Sequence, residues 1–328
     1  MRNYLLLFLL LISVAISSCK KQKAKCCGEP DYREAMREFV CAISQYSKFL
    51  HPGFIIIPQN GESLFTGNGE HSGNPESDYL NFIDATGKEE LFYGFDNRDN
   101  EQTPQDEHDW MLGFLEIAKA NNVVVMTTDY CSDQTKMDDS YQQNLDQGFI
   151  SFAADHRDLD NIPLYPNQPF NENADDIDSI SEAKNFLYLI STGAYSSKQS
   201  MIDAIAQTNY DMMVIDFFFE NEELTVADVD ALCTKANGGK RLVICYMSIG
   251  EAEDYRWYWN DKWKVGNPCW LQPENPDWKG NYRVCYWMSE WQNIIYGSPD
   301  SYLDKILAAG FDGVYLDIVD GFEYFEDL

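Results

Sequence analysis

GVYLDI, residues 313–318, is a short apolar segment that contains Asp317 near its end and lies ten residues before the C-terminal Leu328. Consecutive apolar positions of this kind are typical of a parallel strand that is covered on both faces. Seven further segments share the pattern: FIIIPQ (54–59), YLNFID (79–84), VVVMTTDY (123–130), GFISFAA (148–154), NFLYLIS (185–191), MMVIDFF (212–218) and RLVICYMSI (241–249). The sequence therefore predicts eight strands.

Amphipathic helices are predicted between several of these strands. Apolar residues recur three and four positions apart in residues 110–121, 198–208, 225–237 and 301–309. Strands that alternate with helices form a parallel sheet, and eight of them in a chain of this length favour a closed barrel over an open sheet. No glycine-rich nucleotide-binding signature follows any strand. The expected fold is an α/β (β/α)8 TIM barrel, one domain over residues 31–328.

The last strand lacks a following helix, whereas a strong helix pattern precedes the first strand. It is DYREAMREFVCAISQYSKFL, residues 31–50, with an apolar face formed by Ala35, Phe39, Ala42, Ile43, Tyr46 and Leu50. We expect this helix to cover the C-terminal strand and to close the ring of strands. The alternative is a helix that merely caps the barrel, with the last helix absent.

The N-terminal residues resemble an export signal. Arg2 is followed by an apolar run that is too short to span a membrane comfortably, and Ser17, Ser18 and Cys19 come next. This resembles a bacterial lipobox, which predicts a signal peptide over residues 1–18, lipid attachment at Cys19 and a tether over residues 19–30. The protein would then be exported and lipid-anchored to the bacterial cell envelope, at the outer membrane or cell surface. An ordinary signal peptide with an incidental cysteine is the alternative.

Charge and cysteine spacing exclude several classes of function. The formal net charge is −30, from 54 acidic and 24 basic residues, and such a charge repels nucleic acid. The nine cysteines and four histidines show neither CxxC nor HExxH spacing, so we expect no metal site and no cofactor. Cys269 and Cys285, which flank one aromatic segment, are the best candidates for a disulfide, and Cys233 and Cys245 are expected to be buried thiols.

Four motifs stand out in the C-terminal half: MVIDFFF (213–219), VICYMSIGEAEDYRWYW (243–259), WLQPENPDWKGNYRVCYW (270–287) and GFDGVYLDIVDGFEYF (310–325). Together they resemble glycoside hydrolase family 114, the endo-α-1,4-polygalactosaminidase group, and most closely its bacterial and archaeal branch. In that family, the strand similar to GVYLDIVD is followed by a helix and by a strand that ends in a QN pair. Here similar pieces lie at the other end of the chain, in residues 33–62, and residues 82–94 and 124–131 resemble the family's later strands. The resemblance thus implies a circular permutant, which surface termini that meet in space make tolerable.

Acidic or amide side chains lie near the ends of six predicted strands, where the active sites of such barrels are found. They are Asn60, Asp84, Glu89, Asp129, Asp216, Glu251, Glu253, Asp317 and Asp320. One acid at a strand end is often just a helix N-cap, but six strands that bring such groups to one rim favour a site. Hydrolysis of a glycosidic bond needs two carboxyl groups and neither histidine nor metal.

The family resemblance suggests roles for these side chains. Asp317 matches the family's proposed nucleophile, and Glu89 is the nearest match to its acid/base glutamate, with the adjacent Glu90 as an alternative. Asp216 and Glu251 form a competing pair, which could instead bind the sugar. The residues expected to bind substrate are Asp216, Glu251, Glu253, Asp320, Asp129, Tyr130, Asn60, Tyr255 and Trp259.

Residues 253–291 hold seven of the eight tryptophans. Because aromatic faces stack on sugar rings, we expect at least two of them to bind substrate. The alternative is a long loop that packs on its own aromatic side chains. Arg256 and Glu253 are expected to form an ion pair that shapes this loop.

The predicted barrel and its carboxylates favour a glycoside hydrolase, and the resemblance to family 114 implies that it is endo-acting and cuts an amino-sugar polysaccharide. The negative charge agrees with a cationic, non-acetylated galactosamine polymer as its partner. A catalytically inactive carbohydrate-binding surface lipoprotein is the alternative, and it would keep the aromatic segment.

Overall fold

The computed structural model describes residues 25–328, which form a mixed α/β fold built on parallel strands. The predicted signal peptide (residues 1–18), Cys19 and the first part of the predicted tether lie outside the described residues. Within residues 25–328, no helix is both long enough and apolar enough to cross a membrane.

The strands alternate along the chain with helices and loops. In chain order they are β1 (Ile55–Pro58), β2 (Ala85–Glu89), β3 (Val124–Tyr130), β4 (Ile150–Ala154), β5 (Phe186–Leu189), β6 (Met212–Asp216), β7 (Phe218–Phe219), β8 (Glu222–Glu223), β9 (Leu242–Ser248), β10 (Glu251–Glu253), β11 (Leu271–Glu274), β12 (Asn281–Val284) and β13 (Gly313–Asp317).

Eight of these strands run parallel, in two hydrogen-bonded groups. One sheet has the order β1-β13-β9-β6-β5 and the other β2-β3-β4. A parallel bridge between Gln59 and Gly87 joins β1 to β2. At the other edges β4 lies beside β5, with the ring centroids of Phe152 and Phe186 5.8 Å apart. Two small antiparallel sheets, β10-β12-β11 and β7-β8, complete the strands of the described residues.

Helices follow most of the parallel strands. They are α1 (Tyr32–Leu50), α2 (Ser77–Leu80), α3 (Gln105–Ala120), α4 (Gln134–Gln147), α5 (Lys198–Ala206), α6 (Val226–Leu232), α7 (Ser289–Ile295), α8 (Tyr302–Ala309) and α9 (Phe322–Glu326). Short 3-10 helices span Lys25–Cys27, Glu62–Phe65, Phe95–Asn97, Ile180–Glu182 and Val319–Gly321. The apolar side chains of the strands and of the inner helix faces form one continuous buried core. The sequence patterns above do not predict α4 or the three-stranded antiparallel sheet.

Seven predicted strands are present close to their expected bounds, and the prediction for residues 79–84 is wrong. Tyr79 and Leu80, whose apolar character suggests a strand, are buried residues of the short helix α2, and the strand follows this helix as β2. β2 has few apolar side chains, in part because Gly87 lies against Tyr315. A Cβ atom at position 87 would be 1.9 Å from the Tyr315 hydroxyl, so only glycine fits.

α1 brings the two ends of the chain together. The Tyr46 hydroxyl donates to Asp304 of α8 at 2.6 Å, and Arg33 forms an ion pair with Glu326 of α9 at 2.8 Å. The strand that follows α1, β1, pairs in parallel with the last strand, β13, along its whole length. Leu50, predicted to lie on the apolar face, is instead 45% exposed because it ends the helix beyond the buried surface. The first helix and strand thus pack directly against the last ones.

Two disulfides fasten the start of the described chain to the aromatic segment. They join Cys26 to Cys269 and Cys27 to Cys285, so the expected Cys269–Cys285 pair is wrong. Both partners flank the β11–β12 hairpin, but each is bonded to a cysteine 243 or 258 residues earlier, which local spacing cannot reveal. Cys245 is a buried free thiol, as predicted, and Cys233 is a free thiol that is only partly buried.

Peptide mapping without reduction tests this pairing. After tryptic digestion we expect residues 26–33, 265–279 and 284–305 to appear as one covalent cluster of three peptides, which separates on reduction. The adjacent cysteines share one peptide, which must therefore carry both bonds. A cluster of the last two peptides alone, with residues 26–33 free, would contradict this pairing and restore the Cys269–Cys285 bond.

Candidate active site

A cavity of about 770 Å³ lies at the carboxyl ends of the parallel strands. This end of a parallel sheet carries the binding site in most α/β folds, because the loops that follow the strands meet there. The cavity is lined by these eight predicted site residues: Asp317, Glu89, Asp216, Glu253, Asp320, Tyr130, Asn60 and Tyr255.

Asp317, the last residue of β13, accepts a hydrogen bond at Oδ2 from the hydroxyl of Tyr246 on β9. Burial and the negative charge of Glu89 raise the pKa of Asp317 to about 6, although the Tyr246 hydrogen bond opposes the increase. The next residue, Ile318, has a left-handed backbone with φ 58°, which is strained for a β-branched side chain. Such strain is often found at functional sites.

Glu89, the last residue of β2, is held through both of its oxygens. Asn60, just after β1, donates to Oε2 at 3.1 Å, and the Tyr130 hydroxyl at the end of β3 donates to Oε1. These neutral donors fix the orientation of the carboxylate without neutralising its charge. Glu89 and Asp317 line the same cavity, and the negative charge of Glu89 contributes to the raised pKa of Asp317.

Glu90, the alternative to Glu89, lies in a different environment. Its carboxylate forms an ion pair with Arg157 at 2.7 Å, and that guanidinium also lies 4.0 Å from the ring centroid of Tyr130. The charge of Glu90 is therefore balanced by a cation, whereas hydrogen-bond donors hold Glu89. Of the two, Glu89 is better placed to exchange a proton with a bound molecule.

Asp320 lines the same part of the cavity beside a buried ion pair. Burial, with the nearby carboxylates of Asp317 and Glu323, raises the pKa of Asp320 to about 8. Lys88 lies in the same cluster and pairs with Glu62 at 2.8 Å. Asp320 therefore keeps its proton to a higher pH than Asp317. Such a separation lets one carboxyl group donate a hydrogen bond while its neighbour carries charge.

Arg256 joins two of the predicted substrate-binding acids. It forms the predicted ion pair with Glu253, at 2.7 Å, and also a bidentate pair with Asp216, at 2.9 and 2.6 Å. The Tyr255 hydroxyl donates to the same Glu253 at 2.7 Å. All four residues line the cavity, where two carboxylates share one cation and leave an excess negative charge.

Glu251, the other member of the competing catalytic pair, is not among the residues that line the cavity. Glu251 is 1% exposed and accepts a hydrogen bond from Asn275 at 2.8 Å. Burial raises the pKa of Glu251 to about 7. Its partner in that prediction, Asp216, lines the cavity but is engaged by Arg256.

Asp129, Trp259 and Asp84 are likewise not at the cavity. The Ser140 hydroxyl donates to Asp129 at 2.6 Å, and this fully buried carboxylate also holds the backbone after β2. Trp259 packs on Tyr282 with ring centroids 4.9 Å apart. Asp84 accepts a hydrogen bond from the backbone of β1 at 2.8 Å. These three residues have structural roles, because their polar atoms or rings contact other parts of the protein.

Most tryptophans of the aromatic segment pack against each other and the core. Trp270 and Trp291 are 3% and 0% exposed, and within the described chain Trp278 is the one tryptophan of this segment that lines the cavity. Trp110 also lines it, although it lies on α3, outside the segment. Most of this segment therefore matches the alternative named above, a long loop that packs on its own aromatic side chains.

Sequence reasoning missed several residues of the cavity. Tyr246 gave one usable signal, since it is a tyrosine within an otherwise apolar central strand and lies in register with Asp216 on β6. Gln59, which accepts a hydrogen bond from the Tyr188 hydroxyl at 2.9 Å, immediately precedes Asn60. Arg157 follows β4 in a loop with no recognisable motif.

The cavity is strongly acidic. Its lining includes ten carboxylates and three cations, and each cation is paired with at least one of these carboxylates. Such a surface attracts positively charged molecules. Within residues 25–328, no group of three or more His, Cys, Asp or Glu side chains is arranged to hold a metal ion.

Comparison with known proteins gives a family match in the C-terminal half and partial matches to three relatives. The model of glycoside-hydrolase family GH114 matches residues 169–328. An uncharacterized protein of Methanocaldococcus jannaschii, MJ1477, is 42% identical over 180 residues, which cover 55% of this chain and 49% of that protein. An uncharacterized protein of Thermotoga maritima is 38% identical over 120 residues, which cover 37% of this chain and 36% of that protein. An uncharacterized protein of Deinococcus radiodurans is 39% identical over 125 residues, which cover 38% of each. The matches thus span about half the length of these curated relatives, or less.

Replacement of Asp317 by asparagine is expected to stabilise the protein at pH 8 and to have little effect at pH 4. The folded-state pKa of about 6 exceeds the ordinary 3.8, so folding favours the protonated acid and stability falls as the pH rises through this range. Asparagine has no charge to desolvate. Thermal unfolding between pH 4 and pH 8 measures the difference, and D261N, a change at an exposed position, is the control. A difference in stability that does not vary with pH would contradict the raised pKa.

Proposed function

We propose that the protein hydrolyses a polysaccharide, on the premise that its C-terminal half, residues 169–328, matches the model of glycoside-hydrolase family GH114. The observation that carries the proposal is the pair Asp317 and Glu89. Two neighbouring carboxylates line one cavity at the carboxyl ends of β13 and β2, and each is oriented by hydrogen bonds from neutral side chains. Glycoside hydrolysis needs two such groups.

In the proposed reaction, Asp317 acts at the anomeric carbon and Glu89 protonates the leaving oxygen. A retaining enzyme would form a bond from Asp317 to that carbon as the glycosidic bond breaks, and Glu89 would then take a proton from the attacking water. In an inverting enzyme one carboxylate would activate the water directly. The anomer that forms first, measured by proton NMR, distinguishes the two routes.

We propose that the substrate is an amino-sugar polysaccharide of the α-1,4-galactosamine type. The support is electrostatic, since carboxylates outnumber cations in the cavity lining and all three cations are paired. A non-acetylated galactosamine unit carries a positive charge that such a cavity would attract. An endo-acting enzyme would bind this polymer along its length.

We further infer that the eight parallel strands close into a (β/α)8 barrel that is circularly permuted. Pairing of β1 with β13, the bridge from β1 to β2 and the proximity of β4 to β5 all support closure. The permutation is supported by the position of α1 against the last helices, where a helix after β13 would otherwise lie.

We also propose that the protein is located at the bacterial cell envelope. The lipobox-like sequence that ends at Cys19 supports export and lipid anchoring. The disulfides of Cys26 and Cys27 agree with an oxidising compartment outside the cytoplasm. Together they favour an enzyme that meets its polysaccharide at the bacterial surface.

Release of reducing ends from partially deacetylated galactosaminogalactan tests the reaction. We expect the wild type to release them and D317N and E89Q each to lose activity by about a hundredfold or more, because each removes a group that reacts in the transition state. E290Q, at an exposed position away from the cavity, is the control. Full activity of D317N would show that Asp317 is not the nucleophile. Binding of the polymer without cleavage by the wild type would instead favour the inactive carbohydrate-binding lipoprotein.

The salt dependence of KM tests the electrostatic part of the proposal. Added salt is expected to raise KM for the deacetylated polymer, because ions screen the attraction between the cavity and a cationic chain. KM for the fully N-acetylated polymer, which is uncharged, provides the matched control and should change little. Equal salt dependence for both polymers would argue against charge recognition.

A further inference from the structure

Two exposed tryptophans line the cavity from different parts of the fold. Trp110 lies on α3, after β2, and is 36% exposed. Trp278 lies in the turn between β11 and β12, in the segment that follows β9 and β10, and is 56% exposed. Both belong to the cavity lining, unlike most of the tryptophans in the aromatic segment.

The order of the strands places the two carboxylates between these tryptophans. From β9 the neighbours run β13, β1 and then, through the Gln59–Gly87 bridge, β2 and β3. Trp278 belongs to the β9 side, Asp317 ends β13, Glu89 ends β2, and Trp110 stands between β2 and β3 in the chain. Along this order of strands, the Asp317–Glu89 pair lies between the two tryptophans.

The segment that leads to Trp110 is held in place by backbone contacts. Arg157 donates to the carbonyl of Gly94 at 2.8 Å, and the Asn100 side chain accepts from the backbone N–H groups of Ser132 and Asp133 at 2.9 Å. Several residues of this segment have a left-handed backbone, which these bonds support. The cavity rim beside Trp110 is thus held by hydrogen bonds to neighbouring segments.

The hairpin that carries Trp278 is fixed at both ends. Cys269 precedes β11 and Cys285 follows β12, and each is disulfide-bonded to the N-terminal pair of cysteines. At the tip, the Gly280 N–H donates to the Glu274 carboxylate at 2.7 Å. Two covalent anchors at the base limit the freedom of the exposed indole to move away from the cavity.

Each side of the cavity also contributes an amide. Asn97 lies on the Trp110 side and Asn281 on the Trp278 side, and both line the cavity. An aromatic face stacks on the apolar face of a sugar ring, while a nearby amide can donate to and accept from its hydroxyls. This pairing of groups on both sides is suited to a chain of sugars rather than to a single small molecule.

We propose that Trp110 and Trp278 are two sugar-stacking platforms that hold a polysaccharide on opposite sides of the bond to be cut. The proposal rests on the proposed hydrolysis and adds the direction in which the chain lies. Sugars on one side of the scissile bond stack on Trp278, and those on the other side stack on Trp110. The cavity then grips a chain at an internal bond, as an endo-acting enzyme requires.

Partly N-acetylated α-1,4-galactosamine oligosaccharides of defined length test the platforms. W110A and W278A are each expected to raise KM for long oligosaccharides about fivefold to tenfold, with kcat and the KM for the shortest cleaved oligosaccharide little changed. The position of cleavage should move toward opposite chain ends in the two variants. W110F and W278F, which keep an aromatic ring, should restore most of the affinity. F49A, at an 84% exposed position on α1, is the control.

The outcomes separate this inference from the function on which it rests. If the wild type cleaves the oligosaccharides but both alanine variants keep its KM at every length, or shift cleavage in the same direction, the platforms are wrong and the hydrolase stands. If the wild type cleaves none of them, the hydrolase proposal fails. In that case, calorimetry of oligosaccharide binding to the same variants tests the stacking platforms separately. Binding as tight as that of the wild type would overturn them, and weaker binding would support them.

Discussion

The parallel pairing of β1 with β13 is the constraint on which the candidate site depends. These strands come from opposite ends of the chain, and their pairing sets Asn60 beside the end of the strand that carries Asp317. The Gln59–Gly87 bridge then brings β2, with Glu89, to the same edge. Bringing such distant segments together costs conformational entropy, which the buried core and the contacts of α1 offset. The disulfides add a covalent link between the same two regions.

A second feature that organises the site is the difference between the carboxylates of the cavity in their hydrogen-bond and ion-pair partners. Arg256 and Arg157 balance some of them as ion pairs, while Asp317 and Glu89 receive hydrogen bonds from neutral donors. An ion pair fixes a carboxylate and neutralises it, whereas a neutral donor fixes it and leaves its charge for a ligand. Burying a charge without a cation costs stability, and the raised pKa of Asp317 expresses that cost. The same arrangement leaves these two groups available for chemistry.

Much of the fold could be predicted from the sequence because parallel strands buried on both faces give continuous apolar runs. The failures have physical reasons. The apolar pattern does not locate β2, because position 87 must be glycine to leave room for the side chain of Tyr315. This contact cannot be recognised before the fold is known. Long-range partners were equally hidden, as with the cysteines that bond to Cys26 and Cys27.

The site could be predicted less completely, because an acid at a strand end can face either the cavity or the core. Asp317 and Glu89 line the cavity, whereas Asp129 and Glu251 are buried away from it and accept hydrogen bonds within the protein. Trp110 was missed since it lies far in sequence from the other tryptophans.

The most direct test of the account is a crystal structure of the E89Q variant with a bound amino-sugar oligosaccharide. We expect an internal glycosidic oxygen to lie between the side chains at positions 317 and 89, with their carboxyl and amide carbons roughly 5 to 9.5 Å apart, the range of known retaining and inverting enzymes. An oligosaccharide bound away from Asp317, or a separation well beyond that range, would contradict a site assembled from the two ends of the chain.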